Sequence, residues 1–144
     1  MTRDIDIDRT TEQVIGCAIE VHRAMGPGLL ESIYRECMLM ELALRGLGVD
    51  VERAIPVSYK GESLVARFRL DLLVERSIVV ELKAVEVIRP VHKAQVLSYL
   101  KLTGHPAGLL INFNEATLRA GLHRLDHPDR YARLRVKDEP EPKS

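Results

Sequence analysis

Apolar residues change their spacing several times along the chain, and each change marks an element. Val14, Ala18, Val21 and Met25, with Ile15 and His22 alongside, recur at helical intervals between a capping-box-like Thr10-Thr-Glu-Gln13 and Gly26-Pro27. This predicts a first helix from about Thr10 to Met25, behind nine loose, charged residues. Leu30, Ile33, Cys37, Met40 and Leu44 repeat the interval between Gly28 and Gly46, and are expected to form the core face of a second helix. From Val49 the period drops to two. Val49, Val51, Ile55, Val57 and Tyr59 alternate with polar residues around Pro56, which favours an edge strand. Lys60-Gly61-Glu62 then turns the chain into a strand expected over Leu64 to Val74, and Glu75-Arg76-Ser77 turns it back through Ile78 to Lys83. Pro90 opens a third helix that Gly104 ends, with Val96, Leu97, Leu100 and Leu102 on its buried side. Ala107 to Phe113 is continuously apolar, as an interior parallel strand is, and the helix before it implies a right-handed crossover. Alternation of Leu118, Ala120 and Leu122 favours a last strand over a helix, and from Asp126 the polar, proline-containing end predicts a disordered tail over 126–144. The sum is an α/β (α+β) single domain over residues 10–125, a mixed central sheet of four or five strands flanked by helices.

Composition narrows the function classes. A chain of 144 residues with 46% apolar content can build one core and not two. Lys plus Arg and Asp plus Glu are 21 each, so no global basic field exists and any nucleic-acid contact must be local. Cys17 and Cys37 lie in helical apolar patterns without metal-ligand spacing, and read as reduced core residues. No stretch approaches a membrane span and the acidic N-terminus is no signal peptide, so the chain reads as soluble, off the membrane and cytoplasmic.

The chemistry concentrates in the strand pair around Glu75-Arg76-Ser77. With a three-residue turn, Asp71 lies opposite Glu81, roughly 5 Å apart at Cβ, and Lys83 shares their face. Leu70, Leu72, Val74, Ile78, Val80 and Leu82 fall on the other. Two facing carboxylates repel unless a cation or proton lies between them, and an oxygen-only site of this kind suits Mg²⁺ or Mn²⁺. The plainer alternative is a cross-strand ion pair on a solvated face. Arg67 and Arg69 precede Asp71 on the same face and could meet phosphate, although arginines on a sheet face are commonly just solvated.

The pattern Asp71…Glu81-Leu-Lys83 resembles the core of the PD-(D/E)XK nuclease superfamily. Gly28-Leu-Leu-Glu31-Ser-Ile-Tyr34 resembles the signature of its GxxExxY family, and Gln95-Val-Leu-Ser-Tyr99 is similar to the QxxxY helix of its exonuclease branch. All three occur in the expected order between about Val14 and Leu125. The proline of the superfamily's "PD" is absent, Leu70 standing in its place. The resemblance implies a restriction-endonuclease-like core and metal-dependent hydrolysis of nucleic-acid phosphodiesters, DNA in preference to RNA. It implies Asp71, Glu81, the Leu82 carbonyl and Glu31 as ligands of Mg²⁺ or Mn²⁺. Lys83, Gln95 and Tyr99 are then expected to join the two acids in catalysis, with Tyr34 behind Glu31. A domain this small acting on duplex would often pair, which makes a homodimer an expected assembly. The alternative from another class is a nucleic-acid- or protein-binding module that keeps the fold without the catalysis.

Overall fold

The computed structural model describes residues 6–55, 57–64 and 69–129. The sequence readings on Pro56, on Arg67 and on residues 1–5 and 130–144 lie outside them. In chain order the elements are α1 (Ile7–Met25), α2 (Glu31–Leu44), β1 (Val49–Ala54), β2 (Ser58–Tyr59), β3 (Glu62–Ser63), β4 (Arg69–Val74) and β5 (Ile78–Lys83). They continue with α3 (Pro90–Thr103), β6 (Ala107–Asn112), α4 (Leu118–Gly121) and β7 (Leu122–Asp126).

Five strands form one mixed sheet in the order β1-β4-β5-β6-β7, while β2 and β3 pair by themselves. The β5–β6 pair is parallel and the others are antiparallel, as expected when a helix joins two strands and short turns join the rest. β1 lies at the edge and β6 is buried throughout, both as their residue patterns predict.

Helix α1 begins three residues before the expected Thr10. Asp6 caps it, its carboxylate accepting the Arg9 N–H at 3.0 Å, and Thr10 and Thr11 are buried inside the helix rather than capping it. At the other end of the chain, the segment read as one strand from Leu118 is a single helical turn, α4, followed by β7. Thr117 caps that turn by accepting the Ala120 N–H.

Both faces of the sheet are apolar. Leu72, Val74, Ile78, Val80 and Leu82 join Leu109, Ile111 and Phe113 beneath Val14, Cys17 and Val21 of α1 and Tyr34, Met38 and Leu42 of α2. On the other face Leu73 and Val79 meet Ile55 and Leu100 of α3. Leu70 packs in this second cluster, so the alternation that grouped it with Leu72 breaks at Asp71. α3 comes close to the sheet because residue 108 is glycine: a Cβ there would meet Val96 Cγ1 at 2.8 Å. Leu102, expected on the buried side, is exposed.

The second helix is turned relative to its expected face. Tyr34, Met38 and Leu42 are buried, whereas Leu30, Met40 and Leu44 are exposed, Leu44 to 78%. Ile33 is also exposed and Cys37 half-buried. Two apolar stripes run along this helix. Contact with the sheet selects the one carrying Tyr34, whose ring stacks on Phe113 at 4.5 Å between centroids.

Candidate functional site

The β4–β5 hairpin turns through Glu75, Arg76 and Ser77 in the register Val74↔Ile78, Leu73↔Val79, Leu72↔Val80. Continued by one step, that register sets Asp71 opposite Glu81, and there the main-chain pairing stops. The carboxylates replace it. Asp71 N–H donates to Glu81 Oε1 and Leu82 N–H donates to Asp71 Oδ2, each at 3.0 Å. Charged acceptors of backbone N–H groups are strong ones, so each acid is fixed by the other's strand.

The neighbouring strand is interrupted at the same level. Pairing of β1 with β4 passes from Val51↔Leu72 to Arg53↔Leu70 without a Glu52↔Asp71 pair, and Glu52 has a φ of 50°. A non-glycine residue in that region is strained, and such strain collects beside functional groups. Arg69 Nη1 holds the displaced Glu52 carbonyl at 3.2 Å.

Glu81 is only 9% exposed. Burial pushes its carboxyl up to about 8, and the charge of Asp71 pushes in the same direction. The Asp71 N–H bonded to Glu81 Oε1 opposes the rise, and the Lys83 charge opposes it more weakly. Burial and the facing Asp71 charge thus both favour the protonated form of Glu81 in the free protein.

Lys83 ends β5, half-exposed and paired in register with Asn112. Asn112 is fully buried and satisfied: Oδ1 accepts from Val85 N–H at 3.0 Å and Asn114 N–H at 3.2 Å, and Nδ2 donates to the Val85 carbonyl at 2.9 Å. Phe113 N–H donates to the Lys83 carbonyl. These bonds fix the chain as it leaves β5, and with it the base of the lysine. Nothing in the sequence pattern marks Asn112 for this part, because Val85, which it bonds through both side-chain polar atoms, is 27 residues away.

Of the helix residues, Tyr99 comes nearest in its electrostatics. Half-buried on α3, its hydroxyl is raised above the ordinary tyrosine range by burial and then by the charges of Glu81 and Asp71. Gln95, one turn earlier, is exposed and bonds to none of these groups among the described residues. His92 is occupied at the helix start, its Nδ1 accepting the Arg89 N–H.

Glu31 is the first residue of α2 and half-buried. Among the described residues no three His, Cys, Asp or Glu side chains form a group able to hold a metal, so Glu31 does not complete such a group with Asp71 and Glu81. Tyr34 is committed elsewhere. Its hydroxyl donates to the Gly26 carbonyl at 2.5 Å and accepts the Leu29 N–H at 3.2 Å, which pins the α1–α2 loop instead of Glu31. Gly28 in that loop has a φ of 100°, so the glycine and tyrosine of the motif both serve the loop's shape.

From the same helix comes a residue the sequence reading passed over. Arg35 Nη2 lies 3.6 Å from Asp71 Oδ1, and Nη1 lies 3.7 Å from Glu52 Oε1. Its sequence signal is its place one helical turn after Glu31. A recess of about 370 Å³ at Gly48, Val49, Asp50, Glu75 and Arg76 lies at the hairpin turn and is not lined by Asp71 or Glu81.

The donor set left at the hairpin fork is two hard carboxylates, with Lys83 near them as a positive charge. It fits a small divalent cation on chemical grounds: oxygen donors match Mg²⁺ or Mn²⁺, and a cation removes the repulsion that a proton now relieves.

A family model for the PD-(D/E)XK nuclease superfamily matches residues 8–125. No curated protein and no solved structure matches the chain. Among the described residues, no helix is long and apolar enough to cross a membrane.

Proposed function

The chain belongs to the PD-(D/E)XK nuclease superfamily, with a mixed α/β fold consistent with a restriction-endonuclease-like core, and from that premise we propose that it is a metal-dependent nuclease of the GxxExxY type acting on DNA. The observation that carries the reading is the pairing of Asp71 and Glu81 at the point where β4 and β5 stop pairing, each bonded to the other's strand. A structural ion pair would match acid with base. Here acid faces acid, with Glu81 buried and Asp71 half-buried, at a cost in stability that chemistry would justify.

In this reading Asp71, Glu81 and the Leu82 carbonyl would hold Mg²⁺ or Mn²⁺, and Glu31, outside that group in the free protein, would join only if its side chain turned toward it. The cation would supply charge stabilisation at the phosphate and a more acidic bound water. Lys83, two residues beyond Glu81, orients the attacking water and balances charge on the phosphate. Tyr99, with Gln95 beside it on α3, positions Lys83 or the phosphate. Tyr34 acts at a distance, by shaping the loop that leads into Glu31. Asn112 keeps the lysine's strand end in place.

The test is cleavage of labelled DNA in Mg²⁺, stopped by chelation. Lys83→Met should lose at least about 100-fold in rate, in the range general acid–base groups contribute, while Mn²⁺ binding measured by calorimetry persists. Wild-type protein that binds Mn²⁺ and DNA but cuts nothing would instead favour the binding-module alternative.

The exposed stripe of Leu30, just before α2, with Ile33, Met40 and Leu44 on it supports a second copy of the chain as partner, since apolar residues three, seven and four apart lie on one side of a helix and suit another with the same seam. Leu44→Glu should then reduce the mass measured by sedimentation from dimer to monomer. An unchanged mass would remove the dimer from the proposal.

A further inference from the structure

Arg35 is poorly satisfied for a side chain so enclosed. Its side chain is 25% exposed, its two ion-pair distances of 3.6 and 3.7 Å exceed hydrogen-bonding range, and its buried Nε has no partner among the described residues. A guanidinium carries five N–H donors in a fixed plane and does not lose its proton. Left among two carboxylates at arm's length, it makes ion pairs without the short bonds an arginine fork normally forms with an acceptor. Its position is also contested. Asp71 Oδ1, the atom Arg35 faces, belongs to a carboxylate that the nuclease reading assigns to a cation, and two cations beside one oxygen repel.

We propose that Arg35 is a phosphodiester-binding residue, parked between Asp71 and Glu52 in the free protein and turned to the non-bridging oxygens of a nucleic-acid phosphate once a divalent cation occupies Asp71. The inference rests on the nuclease reading and adds to it the group that meets the substrate's charge. The planar fork matches two phosphate oxygens, which neither carboxylate neighbour offers it at bonding distance. Glu52 stays beside the guanidinium from the strained position in β1 and limits how far it can swing. No global basic field draws nucleic acid to this neutral chain, so one well-placed arginine carries unusual weight in its binding.

The experiment compares wild type, Arg35→Lys and Arg35→Gln. Binding of a labelled DNA oligonucleotide is followed by anisotropy over a series of salt concentrations, with Ca²⁺ in place of Mg²⁺. Mn²⁺ binding without DNA is followed by calorimetry. Arg35→Gln should weaken DNA binding about tenfold and flatten the slope of log affinity against log salt by about one, as expected for one lost phosphate contact. Arg35→Lys should keep the slope and lose only part of the affinity, because charge remains while the fork is gone. Mn²⁺ should bind Arg35→Gln several-fold more tightly than wild type, since a competing positive charge has left Asp71. That last result separates a parked arginine from one that merely orders Asp71, whose removal would weaken Mn²⁺ binding. An unchanged salt slope in Arg35→Gln, or weaker Mn²⁺ binding, overturns the assignment while leaving the nuclease reading intact. Wild-type protein that binds neither Mn²⁺ nor DNA overturns both, and the wild-type arms alone reveal it.

Discussion

Glu81→Gln should melt several degrees above wild type in metal-free buffer at pH 8 and show no further rise when Mn²⁺ is added. In the free protein the Glu81 carboxyl is held up to about 8, first by burial and then by the Asp71 charge. The sign follows from proton linkage. Between the ordinary carboxyl range and pH 8, the folded chain binds a proton at Glu81 that the unfolded chain has lost, so wild-type stability falls as pH rises through that window. Glutamine cannot ionise and escapes the loss. Its amide oxygen can still accept the Asp71 N–H that Glu81 Oε1 now takes, and its amide N–H can be turned to Asp71 without adding a charge. A gain of about 2 kcal/mol is expected for a buried acid relieved of this kind of penalty. The same substitution removes one of the two hairpin acids proposed to hold the cation, so Mn²⁺-induced stabilisation and cleavage should both vanish. Asp71→Asn should lose Mn²⁺ as well but gain less stability, because it also takes from Arg35 one of its two carboxylate neighbours. A conventional ion pair between Glu81 and Lys83 requires the opposite: Glu81→Gln would melt lower, and the metal reading would go with it.

Mn²⁺ affinity should climb about tenfold per pH unit from pH 6 to about pH 8 and level off above. The cation requires Glu81 ionised, so below the pH at which that acid titrates each bound Mn²⁺ must displace a proton. Calorimetry in two buffers of different ionisation enthalpy should count about one proton released per cation at pH 7. The direction is set by the raised acid. An acid in the ordinary range would already be ionised at pH 6, and affinity would be flat across the window. A flat profile would mean that the two carboxylates do not share the cation.

The facing of Asp71 and Glu81 across the hairpin was legible because it depends on short-range rules. A three-residue turn and a period of two place Asp71 opposite Glu81 whatever the rest of the chain does, and the observed register agrees. The buried character of β6 and the stops at Gly26 and Gly104 were legible for the same reason, since each follows from a few adjacent residues. The α2 face was not. Leu30, Ile33, Met40 and Leu44 make as good an apolar stripe as Tyr34, Met38 and Leu42, and helical spacing alone cannot choose between two stripes on one cylinder.

The choice came from contacts across long stretches of sequence. Phe113 selects the Tyr34 stripe by stacking, and the Tyr34 hydroxyl, read as a support for Glu31, is used up by Gly26 and Leu29. Arg35 then reaches Asp71 and Glu52, 36 and 17 positions along the chain, because the helix has turned that way. The sequence by itself determined the strand register, the facing acids and the lysine beside them, all consequences of local backbone geometry. Only the tertiary structure decided which cation faces Asp71, how reluctantly Glu81 ionises and how the end of Lys83's strand is held, because these depend on burial and on charges brought together from distant segments.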